Sequence, residues 1–251
     1  MGLLENKNAV IYGGGGAIGS AVARAFGREG ARVFLVGRTP DPLDRVAGDI
    51  RAAGGVAATA VVDSLDAAQV DAHADEVVTA AGSLDVSFNL VGHPYKHGTP
   101  LVDMDYEDVV APLMVAVRTT WLTARAAARH MARQGGGAIL AFGGHGDPPR
   151  NYYIGGTQLA FQAIESLRRQ LSAELGRDGV RFVTLQTSGI PESADDPATR
   201  EAISKGIEEA TLLGRAATLE DVGNAAAFAA SDWARTMTGA ALNISCGAFV
   251  D

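Results

Sequence analysis

The feature that most constrains this chain is a run of glycines set between two apolar segments. The short apolar run Asn8–Tyr12 stops at four consecutive glycines, residues 13–16. A stretch with apolar side chains at helical spacing follows, and a second, β-branched apolar run closes the unit at residues 32–38. These periodicities predict a strand, a glycine turn, a helix and a second strand.

Such a unit is typical of proteins that bind dinucleotides. Gly13 permits a tight turn with positive φ, and Gly19 lets the helix pack close to the strand. The helix N-terminus then offers free N–H groups and its positive dipole end to a pyrophosphate. The alternative interpretation is a plain tight turn between a strand and a helix.

The residue that ends the second strand bears on which dinucleotide binds. An acidic side chain there would accept hydrogen bonds from a ribose 2′-OH and favour NAD(H). The chain instead has Gly37 followed by Arg38, whose guanidinium can contact a 2′-phosphate. We therefore expect NADP(H) in preference to NAD(H), the alternative being that Arg38 is a solvated surface arginine.

Composition sets outer limits on the protein. A mixed chain of 251 residues is consistent with one domain over residues 1–251. The net charge of −8, with no dense lysine and arginine block, argues against sequence-independent nucleic-acid binding. The single cysteine, Cys246, excludes an intrachain disulfide. No stretch is apolar enough to cross a bilayer, and residues 5–7 interrupt any signal peptide, so we expect a cytoplasmic protein.

Strand and helix patterns alternate along the rest of the chain. Further strands are predicted at 57–62, 84–91, 138–142, 180–186 and 241–244, and helices at 67–81, 113–133, 156–176 and 219–230, the last with Thr218 as its N-cap. The sequence thus predicts an α/β, Rossmann-type, doubly wound parallel sheet of about seven strands, with helices on both faces. Ligands of such sheets bind beyond the carboxyl ends of the strands.

The chain resembles the short-chain dehydrogenase/reductase family over essentially its full length. Residues 13–19 look like that family's G-x-x-x-G-I-G, with Ala17 in place of the middle glycine, and residues 89–92 look like its N-N-A-G. Asp63 stands where the family contacts the adenine ring. The resemblance implies these cofactor contacts: Gly13, Gly15, Gly16, Ile18, Arg38, Asp63, Asn89, Gly92, Ser188 and Ile190.

The same resemblance predicts an unusual set of residues at the family's catalytic positions. The family uses a tyrosine as proton donor, a lysine that lowers its pKa, a serine and a helix asparagine. Alignment through residues 171–175 places Thr157 at the tyrosine, Phe161 at the lysine, Gly144 at the serine and Ala116 at the asparagine. A threonine hydroxyl is a far weaker acid than a phenol, so we expect a departure from the standard alcohol–ketone mechanism.

Other groups on this rim could supply the proton. Tyr153 would face the same side as Thr157, one turn apart, if the helix already runs there. His145 directly follows the serine position, and an imidazole titrates near neutral pH. The candidate catalytic residues are therefore Tyr153, His145 and Thr157; the alternatives are loop packing for Tyr153 and a solvated histidine for His145.

Further polar residues follow the fourth strand, where family members line the substrate cleft: His93, Tyr95, Lys96 and His97. Two histidines four apart can suggest a metal pair, but Pro94 and Gly98 oppose the helix that the pair would need, so no metal is expected. His73 and His130 lie on predicted helices away from the rim and are expected at the surface.

Three functions remain open from the sequence. The first is an atypical NADP(H)-dependent oxidoreductase of small organic molecules, for which activated C=C or C=N bonds would need the least acid assistance. The second is a redox-neutral cyclase, isomerase or dehydratase, and the third a catalytically silent cofactor-binding protein. The resemblance also implies a homodimer or homotetramer through the two long helices, and a variable substrate lid at residues 190–214.

Overall fold

The computed structural model describes residues 2–144, 153–194 and 196–250. Within them, seven strands form one sheet in which every pairing is parallel, in the order β3-β2-β1-β4-β5-β6-β7. The strands are β1 (Asn8–Tyr12), β2 (Arg32–Gly37), β3 (Val56–Val61), β4 (Val86–Asn89), β5 (Gly137–Gly144), β6 (Val180–Thr187) and β7 (Ala240–Asn243). The predicted doubly wound parallel sheet is confirmed.

Helices cover both faces of the sheet and enclose two separate cores. They are α1 (Ala17–Arg28), α2 (Pro40–Ala52), α3 (Ala67–Ala81), α4 (Tyr106–Gln134), α5 (Thr157–Leu175), α6 (Pro197–Ala210) and α7 (Leu219–Ala230). Side chains of α1, α2 and α7 fill one core, and those of α3, α4 and α5 fill the other. The parallel strands all end at one edge, which therefore carries the residues predicted for the site.

One helix differs from its predicted extent, and another lies in the segment for which a lid was expected. α4 begins at Tyr106 rather than at 113, because Pro112 is accepted inside the helix, where it is buried. Glu107 and Asp108 in the first turn favour this early start, since acidic side chains stabilise a helix N-terminus. α6 occupies most of the segment expected to be a lid, and all its residues are exposed or half-buried.

The prediction for His73 was wrong. The residue is only 5% exposed, and its ring meets that of Tyr12 edge-on at 6.4 Å. His73 lies three residues after Val70 and four before Val77, both buried, so it belongs to the apolar stripe of α3. Burial lowers the pKa of His73 below its ordinary value, because the charged imidazolium is poorly solvated there.

The predicted start of α7 is confirmed at the atomic level. The Thr218 hydroxyl accepts a hydrogen bond from the Asp221 backbone N–H, and the Asp221 carboxylate accepts one from the Thr218 N–H. This reciprocal capping box satisfies two N–H groups that a helix start leaves unpaired. In the described part of the chain, no helix is both long and apolar enough to span a membrane.

Candidate active site

The glycine turn after β1 has a backbone conformation that other residues would strain. Gly13 has a φ of +78°, and a Cβ on it would overlap the carbonyl oxygen of Leu90 at the end of β4. The N–H groups of Gly13 and Gly14 both donate to the carbonyl of Val36, at 2.8 and 3.0 Å. The turn is thus held between the two neighbouring strands, and the positive φ that the sequence predicted for Gly13 is confirmed.

The start of α1 presents backbone groups at the same edge. Gly16 precedes the helix, and Gly16 and Ala17 are exposed. A Cβ on Gly19 would overlap the carbonyl oxygen of Gly13, so the helix lies as close to the turn as glycine permits. Gly15 lies against Pro42 of α2, and Ile18 packs against the core. An exposed helix N-terminus of this kind can bind an anion through its N–H groups.

Arg38 follows β2 directly and is exposed. Among the described residues, none forms a hydrogen bond or an ion pair with its guanidinium, so the group is available to an anion. A cleft of about 350 Å³ lies nearby between α1 and α2, and Gly15 and Arg45 help to line it. Arg24, which also lines the cleft, is paired with Asp49 at 2.7 Å.

Asp63 and Asn89 are both engaged in local hydrogen bonds. Oδ1 of Asp63, which follows β3, accepts from the Leu65 N–H at 3.0 Å. Asn89 ends β4, and its Nδ2 donates to the hydroxyls of Thr119 and Thr120 of α4 at 3.1 and 3.0 Å. Asn89 therefore braces the end of β4 against α4, and the exposed Gly92 follows three residues later.

The remaining predicted cofactor residues follow β6. Ser188 is exposed, and its hydroxyl donates to the carbonyl of Ser245 at 3.4 Å. Ile190 is buried, and Gly189 between them has a φ of +130°. Together with the glycine turn and Arg38, these residues form one continuous edge at the carboxyl ends of the strands. The backbone cradle, exposed helix N-terminus and available guanidinium fit the phosphates of a dinucleotide.

Thr157 and Phe161 lie one turn apart at the start of α5. Thr157 is buried, and Nε2 of His97 lies 3.3 Å from its hydroxyl oxygen. The Phe161 ring fills the space beside Gly144, where a Cβ would lie 2.9 Å from Cδ2 of the ring. The ring of His93 meets the same phenylalanine edge-on, with centroids 6.4 Å apart.

Two loop histidines thus match two α5 residues at the same spacing: His93 contacts Phe161, and His97 contacts Thr157. The sequence had placed residues 93–97 in the cleft but had not paired them with α5. A signal for this pairing was present in the sequence, because His93 and His97 are four residues apart, as are Thr157 and Phe161. The sequence does not specify, however, that this loop lies against the first turn of α5.

The surroundings of His97 change its pKa. Partial burial, and secondarily the proximity of His93, lower the pKa of His97 below its ordinary value. Tyr95 lies beside it, with ring centroids 4.7 Å apart. The neighbouring Lys96 is paired with Asp108 of α4, and this contact raises the pKa of the lysine.

Of the other candidate catalytic residues, Tyr153 lies before α5 rather than on it, since the helix begins at Thr157. The condition for both side chains to share one helix face is therefore not met. Tyr153 is 54% exposed, and its carbonyl accepts from the Gly98 N–H at 2.8 Å. His145 lies outside the described residues, and Ala116 is buried in α4.

The fold and this edge define a dinucleotide-binding α/β protein. A family model described as "Enoyl-(Acyl carrier protein) reductase" matches residues 15–248. The 3alpha-hydroxysteroid dehydrogenase of Mediterraneibacter gnavus is 31% identical over 248 residues, covering 96% of each chain. The protein belongs to the short-chain dehydrogenase/reductase family.

Solved structures agree with this assignment. A short-chain type dehydrogenase/reductase from Mycobacterium ulcerans has a TM-score of 0.89 and 27% identity, over 98% of this chain and 90% of that one. A gluconate 5-dehydrogenase from Burkholderia cenocepacia, in complex with NADP and tartrate, has a TM-score of 0.86 and 26% identity, over 98% and 96%. The chain is therefore an oxidoreductase of a family that uses nicotinamide cofactors and small-molecule substrates.

Proposed function

We propose that the protein transfers hydride between NADP(H) and a small organic substrate, with a proton donor other than the family's tyrosine. The observation that carries the proposal is the exposed guanidinium of Arg38 beside the glycine turn of residues 13–16. A guanidinium binds phosphate through paired N–H donors, and no carboxylate at position 37 competes for a ribose hydroxyl.

The cofactor would lie along the edge described above. The backbone of the glycine turn and the start of α1 would hold its pyrophosphate, and Arg38 its 2′-phosphate. Asp63 and Asn89–Gly92 would line the adenine and ribose side, and Ser188 and Ile190 the nicotinamide side. When bound, the cofactor supplies or accepts the hydride, and the protein positions it.

The proton would come from this chain's own polar groups. The sequence of α5 contains neither tyrosine nor lysine, so the usual tyrosine–lysine pair is not available on that helix. Thr157, Tyr153 and His145 remain the candidate donors, and the exposure of Tyr153 leaves its phenol accessible. Substrates such as activated C=C or C=N bonds suit a site with weak acid assistance.

The named relatives support a small-molecule substrate without identifying it, because hydroxysteroid and gluconate dehydrogenases differ widely in substrate. Residues 190–214, including α6, would form the lid over that substrate. Ile207 of α6 lies next to Gly189, just after β6, and this proximity supports a position of the lid beside the proposed nicotinamide side.

Self-association would use α4 and α5. Large apolar side chains are exposed on both helices: Met114 and Trp121 on α4, at 63% and 43%, and Leu159 on α5, at 43%. A homodimer or homotetramer would bury them. Light scattering at several protein concentrations, with Trp121→Ser as the variant expected to dissociate, measures this directly.

The test of function is consumption of NADPH with a panel of enones, imines and ketones, and its formation with alcohols and polyols. Turnover of any member supports the proposal, and Tyr153→Phe and His145→Ala then show whether either supplies the proton. If no compound changes the absorbance at the NADPH wavelength although NADPH binds, the protein is redox-neutral or catalytically silent.

A further inference from the structure

We propose that His97 and Thr157 form the proton-transfer pair of this site, with the Thr157 hydroxyl as the relay and the His97 imidazole as the group that takes up the proton. The proposal deepens the proposed function and rests on it. It assigns a role to His97, which the sequence had placed only among the polar residues of the cleft.

The geometry of the pair is the first argument. Nε2 of His97 and Oγ1 of Thr157 are 3.3 Å apart, and they join residues 60 positions apart in the chain. Thr157 is the first residue of α5, and its side chain is buried. A hydroxyl held against an imidazole in this way is the arrangement that activates weak hydroxyl acids in enzymes.

The second argument is that the loop is fixed against α5 at more than one point. On one side of His97, the His93 ring contacts the Phe161 ring. On the other side, the N–H of Gly98 donates to the carbonyl of Tyr153. The contact between His97 and Thr157 therefore lies between two others, which hold the imidazole beside the helix start.

Among the described residues, the charged and titratable groups around the pair favour a neutral imidazole. His93 lies on the same loop and, when protonated, opposes a second charge on His97. The Tyr95 ring lies beside His97. Asp108 of α4 faces this loop but is paired with Lys96. The charge of Asp105, just before α4, also raises the pKa of that lysine. Near neutral pH His97 is therefore a proton acceptor.

A neutral imidazole can accept the proton that is released when an alcohol is oxidised. The substrate O–H proton passes to Oγ1 of Thr157, and the Thr157 proton passes to Nε2 of His97. The hydride leaves the substrate carbon, and the oxidant is the nicotinamide cofactor of the proposed function, so protons and electrons balance. Thr157 gains one proton as it gives up another and never ionises, so its high pKa is not an obstacle.

The first test needs no cofactor and no substrate. The chain has five histidines, so each imidazole can be assigned in nitrogen NMR spectra from one single substitution. We expect His97 to titrate below the ordinary histidine pKa of about 6.5. Thr157→Val should change the His97 Nε2 shift and titration, whereas Thr157→Ser should preserve both, and His130 should serve as an unaffected reference. Identical His97 titrations in all three proteins would overturn the pair.

The second test measures turnover against pH with any alcohol that the panel identifies. His97→Gln should lower kcat by about 10²-fold, the usual scale for loss of one acid–base group. Oxidation by the wild type should be present above the lowered pKa of His97 and decline as pH falls through it, and this decline should vanish in the variant. His130→Gln is the matched control, and its turnover should equal that of the wild type.

These tests separate the failure of the inference from the failure of the proposed function. A His97→Gln enzyme with the pH profile and kcat of the wild type would overturn the inference while leaving the oxidoreductase intact. A protein that binds nucleotide but oxidises or reduces nothing would refute the proposed function, and the NMR titration would still decide whether the pair exists. Direct nucleotide titration of His97→Gln should give an unchanged Kd, as expected for a residue that acts on the proton.

Discussion

The two ends of the strand edge achieve their chemistry in different ways. At the β1–β3 end, the turn around Gly13 and the start of α1 present backbone N–H groups, and few side chains are needed. At the β4–β6 end, side chains from the loop 93–97 meet the first turn of α5, where Thr157 and Phe161 lie. In the proposed function, binding of the dinucleotide would depend mainly on backbone shape, whereas proton transfer would depend on which side chains are present.

The two ends also differ in how strongly the backbone restricts substitution. The glycines at 13 and 19 have no tolerated replacement, since a Cβ at either would overlap a backbone carbonyl. At the β4–β6 end, neighbouring side chains share space, so a smaller side chain at one position can accommodate a larger one at the next. The Phe161 ring, for example, occupies the space that the missing side chain of Gly144 leaves.

The largest effect is expected from Gly19→Ala, compared with Gly48→Ala. Both glycines lie in helices, so both gain up to about 1 kcal/mol in helix propensity. A methyl group on Gly19 meets the backbone of Gly13, whereas Gly48 is exposed with nothing within 4 Å. We expect Gly19→Ala to lower the free energy of unfolding by about 1–3 kcal/mol in urea and to abolish NADPH binding. Equal stability of the two variants would contradict the described close approach.

Arg38→Gln should next separate the two cofactors. Loss of a hydrogen bond to a charged group costs about 1.5–3 kcal/mol, which corresponds to roughly 10- to 100-fold weaker NADPH binding. NADH binding should change little, because NADH has no 2′-phosphate. Arg177→Gln, an exposed arginine before the start of β6 at the opposite edge, is the control. An equal loss for both nucleotides would argue against a 2′-phosphate contact.

Gly144→Ser tests the packing at the reaction end. The new side chain would overlap the Phe161 ring, and we expect a loss of about 1–3 kcal/mol in the free energy of unfolding. Phe161→Ala in the same chain should recover part of that loss. A double-mutant cycle measured by denaturant unfolding gives the coupling between the two positions. Additive effects would mean that Gly144 and Phe161 do not share the space.

The smallest effect concerns His73 at the binding end. Because burial lowers its pKa, His73 contributes stability that is present above its unfolded pKa of about 6.5 and is lost as pH falls. His73→Met should therefore make the free energy of unfolding less sensitive to pH below about 6.5. His130→Gln provides the comparison, and an unchanged pH dependence in His73→Met would show that His73 is not the group responsible.

The alternation of strand and helix periods was sufficient to predict the sheet, its parallel strands and the glycine turn. These features depend on local sequence, as at Thr218, where the N-cap was predicted correctly. The early start of α4 was missed because the helical pattern was recognised only from residue 113, and the acceptance of the buried Pro112 inside the helix is set by tertiary packing. The burial of His73 was missed because a polar residue on an apolar stripe was assigned to the surface.

The candidate site was predictable only in part for the same reason. Arg38 and the glycines are adjacent in sequence to the elements that position them. The contact between His97 and Thr157, by contrast, joins segments 60 residues apart, and no periodicity specifies how a loop lies against a distant helix. The predicted roles of Tyr153 and His145, and the tetrad positions at Ala116 and Gly144, stay predictions.

The most direct test of the account is titration of the purified protein with NADPH and with NADH, followed by nucleotide fluorescence. We expect both to bind through the glycine cradle and NADPH to bind at least about tenfold more tightly, the scale of one charge-assisted contact at Arg38. Binding of neither nucleotide would contradict the central claim that this edge is a working cofactor site. Tighter binding of NADH would contradict the role given to Arg38.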